Sequence, residues 1–186
     1  MAAKAKIYQF KITLKGIRPP IWRQFQVNSH IRFLDLHRII QGVMGWEDAH
    51  LHQFSVNGYL LTDGITLKET GSGGGDVAKS WLDAFVEEEE QKFVYEYDFG
   101  DSWEHEVVLE KILEPEAGAT YPRCLAGKRA CPPEDCGGVW GYQELLEVLK
   151  DPENPEHEEM LDWLGGEFDP EEFDPAWVNE VLARLG

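Results

Sequence analysis

Phe93-Val-Tyr-Glu-Tyr-Asp-Phe-Gly-Asp-Ser-Trp-Glu-His-Glu-Val-Val-Leu109 reads as two strands folded on a tight turn. Its register decides what the hairpin presents. A three-residue loop, Gly100-Asp101-Ser102, sets Phe99 opposite Trp103, Tyr97 opposite His105, Tyr95 opposite Val107 and Phe93 opposite Leu109, so the apolar groups share one face. A two-residue Gly100-Asp101 loop would put Tyr97 beside Glu104 and Tyr95 beside Glu106, mixing the faces. Burial penalises that mixture strongly, so the odd loop is expected. On the other face Asp98 then opposes Glu104 and Glu96 opposes Glu106. Like charges directly opposite one another repel. They need water, a neighbouring Lys or Arg, or a cation.

The rest of the chain supplies what this hairpin pairs with. Residues 7–15 alternate as a half-buried strand. Gly16 to Pro20 is turn chemistry, and residues 21–27 resume alternation, with Ile21, Arg23, Phe25 and Val27 on one side and Trp22, Gln24 and Gln26 on the other. Leu36, Ile39, Ile40, Val43 and Met44 then make an apolar stripe at helical spacing, opened by Asp35 and closed by Gly45. His37, Arg38 and Gln41 fall off that stripe, on flanking or solvent faces. Residues 50–56 read as a strand, turned at Asn57-Gly58 into residues 59–62. Residues 68–90 read as a flexible insertion. They contain Gly71-Ser-Gly-Gly-Gly75, a short helix candidate at 80–85 and the acidic run 87–90. The glycine run is no phosphate cradle, since it lacks the Lys-Ser/Thr of a P-loop. Residues 121–138 are irregular by composition, and a long irregular stretch is usually functional or pinned by something. Three helices close the chain, at 142–150, 156–164 and 175–185. The order hairpin, helix, strand pair, hairpin predicts an α+β single domain over residues 1–186. It is a mixed β-sheet with a β-grasp-like opening and C-terminal helices packed on it.

Composition narrows the function. The chain has 186 residues and 42% hydrophobic content, enough to bury one core. No apolar run approaches a membrane span and no apolar leader precedes Lys4, so a cytoplasmic location is expected. Three cysteines fit reduced thiols or a metal site better than a disulfide framework. The net charge of −18 disfavours nucleic acid and anionic membranes as partners. The charge is divided: the first 50 residues carry eight Lys/Arg and three Asp/Glu, and the remainder nine and 32.

Three places could carry chemistry. The turn offers Asp98, Asp101, Trp103 and His105 as ligand-binding candidates. His50-Leu-His52 adds two imidazoles which, on a strand, would face one side and suit a transition metal or two ordinary half-buried histidines. Cys124, Cys131 and Cys136 are spaced x6 and x4; only the second spacing approaches a zinc knuckle, and a histidine from elsewhere would have to complete a tetrahedron. A nucleophilic cysteine would need an activating histidine.

Several segments together resemble the plasmid pRiA4b ORF-3-like family. They are residues 7–14, Pro-Pro-Ile-Trp-Arg (19–23), Leu-His-Arg-Ile-Ile-Gln (36–41) and Gly-Trp-Glu-Asp-Ala-His-Leu-His-Gln-Phe (45–54). Tyr-Asp-Phe-Gly-Asp-Ser-Trp-Glu-His (97–105), Cys-Pro-Pro-Glu-Asp-Cys-Gly-Gly (131–138) and Gly-Tyr (141–142) continue it. The resemblance implies a single α+β domain and no established activity. Some members have been labelled resolvase-like or occur beside DNA-binding regions. The family often has another residue at the position of Cys136, which leaves Cys124 and Cys131 as the pair the resemblance favours.

The leading expectation is a non-enzymatic binding module for a protein partner or small ligand. Its cleft would lie where the His50-Leu-His52 strand, the 98–105 turn and the 124–138 loop converge. The alternatives are a metal-dependent, hydrolase-like enzyme using a divalent metal such as zinc, with ligands from His50, His52, His105, Asp98 and Asp101, and a nucleic-acid accessory factor using the basic N-terminal part.

Overall fold

The computed structural model describes residues 6–71 and 73–185. The first hairpin is β1 (Ile7–Leu14) and β2 (Trp22–Asn28), followed by α1 (Phe33–Met44) and a second hairpin, β3 (His52–Val56) and β4 (Tyr59–Thr62). Next come α2 (Gly64–Thr70), the two-residue β5 (Gly75–Asp76) and a 3-10 turn at Leu82–Ala84. The central hairpin is β6 (Lys92–Tyr97) and β7 (Trp103–Leu113), and β8 (Arg123–Lys128) completes the strands. Helices α3 (Gly138–Lys150), α4 (His157–Leu164) and α5 (Pro175–Leu182) end the chain. The eight strands of the described residues form one mixed sheet in the order β5-β4-β3-β6-β7-β1-β2-β8, antiparallel except for β4 with β5.

The period-2 pattern explains the sheet's two faces. Phe10 pairs with Phe25 and Leu109, and Ile12 with Arg23 and Val107. Tyr95 pairs with His105 and Phe54. This aromatic face is sealed by α1, whose Phe33 meets Phe54 and Phe93 edge-on. A reciprocal pair at the helix start, Arg32 with Asp35, and a left-handed Gly45 at its end set its limits. The opposite face is polar. Gln9 and Gln24 both donate to Glu110, Gln26 donates to Gln9, and Arg123 donates to Gln26.

The central hairpin corrects the expected register while keeping its faces. Tyr97 pairs with Trp103, Tyr95 with His105 and Phe93 with Val107, leaving a five-residue loop, residues 98–102. The slip is two residues, so every side chain still within the strands stays on its expected face. Phe99 and Asp98, expected opposite Trp103 and Glu104, instead fall in the loop, Phe99 exposed and Asp98 buried. Asp98 shapes the longer turn. It adopts a left-handed φ of 56°, its carbonyl accepts from Ser102 N (2.6 Å) and its side chain from Gly100 N (2.9 Å). The facing carboxylates are now Glu96 and Glu104. Gln53 (2.6 Å) and Ser102 (2.9 Å) donate to Glu96, and Lys15 pairs with Glu104 at 3.1 Å. Protein donors therefore meet both facing carboxylates, Glu96 and Glu104.

Two further expectations change. Most of the stretch expected as a flexible insertion, residues 73–90, is built into the fold: β5 pairs with β4, and Val77, Leu82 and Val86 are buried. Tyr8 donates to the Val86 carbonyl at 2.8 Å. The 121–138 stretch contains β8, which pairs with β2. Its Pro and Gly content hides a strand that lies at the sheet's edge, where such residues are tolerated. Asn179 of α5 clamps that edge, accepting from Cys124 N (2.8 Å) and donating to Cys124 O (2.9 Å). The same helix packs against α1, where a Cβ on Gly42 would sit 3.1 Å from Leu182.

Candidate functional site

The turn 98–102, the segment before β3 and the loop 131–137 meet at one end of the sheet. Trp46, just beyond α1, donates its Nε1 to the Pro132 carbonyl (3.1 Å), and Glu47 N donates to Glu134 (3.0 Å). The Tyr97 hydroxyl bonds Glu134 at 3.1 Å and accepts from Ala49 N at 3.0 Å. Asp101 accepts from Gly137 N (3.1 Å), tying the turn to the loop. The contact is close: a Cβ on Gly138 would lie 2.5 Å from Asp101 O, and one on Gly141 only 1.9 Å from Cys136 O.

At the centre of this junction stands His50. Its Nε2 lies 3.1 Å from Asp135, 3.7 Å from Asp98 and 3.7 Å from Glu134. The nitrogen is buried and makes no hydrogen bond. Three carboxylates thus surround one imidazole nitrogen, and no Lys or Arg pairs with any of them among the described residues. Asp98 is buried, whereas the Asp135 side chain is 71% exposed, so the cluster reaches the surface on one side. Asp98 and Asp135 both have left-handed backbones. His50, Asp98 and Asp135 each place one ligand atom within 4.8 Å of the others.

A second cluster lies deeper. His37 and His52 stack at 3.4 Å with planes 6° apart. His37 bonds Asp48 through Nε2 (2.7 Å) and Tyr95 OH through Nδ1 (2.9 Å). Gln41 Nε2 donates to that same hydroxyl, so its single proton is available to His37 Nδ1. This assigns the His37 proton to Nε2, pointing at Asp48. Both nitrogens of His37 are therefore committed, while His52 Nε2 is buried without a partner. Burial lowers the pKa of His37 and takes that of His52 down to about 3. Stacked neutral rings are the natural result, since two imidazolium ions at this separation would repel.

The candidates named from sequence separate accordingly. His50, Asp98 and Asp101 lie at the junction, with only the first two in the carboxylate cluster. His52 belongs with His37, because His50 precedes β3 and the i, i+2 rule for strands does not reach it. Trp103 and His105 are completely buried. His105 Nδ1 donates to Tyr95 O at 3.2 Å, and burial depresses its pKa to about 3. The cysteines take no part in either three-ligand group among the described residues. Burial pushes the Cys124 thiol up to about 11 and that of Cys136 to about 12, and raises Cys131 as well. Sequence reasoning missed His37, Asp48, Glu134 and Asp135.

The fold and this junction define an α+β protein with a histidine-carboxylate cluster beside an aromatic core. The chain belongs to the family described as plasmid pRiA4b ORF-3-like protein, which it matches over residues 6–177. It is 38% identical to an uncharacterised protein, y4hQ, of Sinorhizobium fredii over 178 residues, 94% of this chain and 87% of that one. A crystal structure of a protein of unknown function, MM3350 from Methanosarcina mazei Go1, is similar with a TM-score of 0.82 and 47% identity, covering 93% of this chain and 97% of that one. No helix among the described residues is long and apolar enough to cross a membrane.

Proposed function

We propose that this protein is a binding module whose junction holds a divalent transition-metal ion through His50, Asp98 and Asp135. Glu134 supplies a further oxygen. The observation that carries the reading is His50 Nε2: a buried, unpartnered nitrogen facing three carboxylates that no Lys or Arg of the described residues neutralises. Such a concentration of negative charge calls for a cation. One imidazole with carboxylates suits zinc, manganese or iron(II) better than calcium, which prefers an all-oxygen shell. The supporting shell is in place, because Asp98 is fixed by Gly100 N and Glu134 by Glu47 N and Tyr97 OH.

Untagged protein stripped with chelator and titrated calorimetrically with zinc and manganese tests this. One equivalent is expected. His50→Ala and Asp135→Asn are each expected to weaken binding at least about tenfold. Asp135 is the cleaner position, being exposed and making no other ion pair. Binding below about a tenth of an equivalent, or full affinity in His50→Ala, would overturn the reading.

A further inference from the structure

A cavity of about 410 Å³ opens between the end of α1, the 130–131 segment and the start of α5. Its lining includes Arg23, Met44, Cys131, Phe173 and Trp177. Arg23 is 2% exposed, and no carboxylate of the described residues pairs with it. Its Nε donates to Val43 O (2.8 Å), and its Nη1 to Trp22 O (2.9 Å) and Lys128 O (3.0 Å). Nη2 makes no hydrogen bond within the described residues, and Arg23 lines the cavity. The Phe173 ring covers the guanidinium at 4.2 Å.

A buried charge is retained when something compensates it. Three carbonyls, one of them at the C-terminal end of α1, offset part of the cost. None supplies a full negative charge. The free Nη2 is a ready donor to an anion, and guanidinium groups favour carboxylate and phosphate. The rim narrows the choice. Glu172 and Asp174 line the mouth and are exposed, so a polyanion would meet repulsion before reaching Arg23. The volume suits a small organic molecule. We propose that this cavity binds a small organic monocarboxylate, its carboxylate on Arg23 and its apolar body against Phe173, Trp177 and Met44. The site is separate from the His50 cluster and stands without it.

The test uses the full chain and three probes: indole-3-acetate, the neutral indole-3-acetamide and inorganic phosphate. Calorimetry reads affinity, and NMR of the arginine Nε–H resonances reads contact. Indole-3-acetate is expected to bind at one site and shift one arginine resonance. The amide is expected to bind at least about tenfold more weakly, having lost a charge-assisted bond. Arg23→Lys should weaken the acid. Because that change could also disturb folding, Ala130→Leu is the second variant: it fills the cavity, leaves Arg23 in place and should abolish binding. Equal affinity for acid and amide would overturn the anion site. Tighter binding of phosphate would overturn the monocarboxylate class, and no binding by any probe, or unaltered binding in Ala130→Leu, would overturn the proposal.

Discussion

His105 should make the fold sensitive to mild acid. The ring is wholly buried, flanked by Trp46 and Tyr95, and its Nε2 has no partner. Desolvation depresses its pKa from 6.5 to about 3. The unfolded chain therefore binds a proton between these values that the folded chain refuses, so stability is complete above pH 6.5 and falls as the pH drops towards 3. Moving from pH 8 to pH 5 costs about 2 kcal/mol for one such group. That is a large share of a typical domain's stability. The perturbation is His105→Phe, which keeps a ring in place and removes the titration. It also removes the bond to Tyr95 O and the orphaned lone pair, so a constant offset of either sign is expected. What matters is the difference between the two proteins. Urea unfolding, with chelator present to suppress metal linkage, should give a wild-type stability that declines about 2 kcal/mol further than the variant's between pH 8 and pH 5. A difference constant within about 0.5 kcal/mol would show that the ring is protonated in the fold, or has found a partner, and would refute the reasoning.

Two further outcomes can be checked more simply. Burial raises Cys124 from 9.0 to about 11, so its thiolate fraction falls about 100-fold, and native protein should react far more slowly with iodoacetamide than protein in guanidinium, where all three cysteines should be modified. Gly141→Ala would force a Cβ to within 1.9 Å of Cys136 O; a loss of at least about 2 kcal/mol in denaturant midpoint analysis is expected, together with weaker metal binding, and an unchanged midpoint would show that the loop can yield.

Much of the fold follows from local pattern. The stripe from Leu36 to Met44, with Asp35 and Gly45 at its ends, predicts α1 nearly to the residue because stripe and end signals agree. Alternation also places Arg23 on the core side of β2, where it lies. The hairpin register is legible only to within two residues. Burial fixes which face each side chain takes, but the length of the turn is set by the backbone of Asp98 and Ser102, both left-handed. Edge strand β8 is hidden because its pairing is non-local and its composition resembles a loop. The site divides in the same way. The convergence of the 98–102 turn with His50 and the cysteine loop is legible as three unusual segments needing one place to meet. Glu134 and Asp135 are not, since loop carboxylates look alike until the chain is folded. His37 and Gln41 carried a weak signal: with Phe33 they form an i, i+4, i+8 row beside the stripe, and the structure buries all three. Their polarity suggested solvent, and the Tyr95 hydroxyl that satisfies both lies on another element.

The position of β1 in the middle of the sheet carries a cost during synthesis. Ile12 must wait for Val107, roughly 95 residues later, before its second edge is covered. At ordinary elongation rates that interval is roughly 5–20 s. Throughout it, the β1–β2 hairpin carries Phe10, Ile12 and Phe25 on a strand pair whose β1 edge has no β7 beside it. The nascent chain is therefore an open template for stray strands at the β1 edge until the central hairpin emerges, and at the β2 edge until β8 follows, so chaperone dependence should fall in two steps, after residue 113 and after residue 128 clear the ribosome.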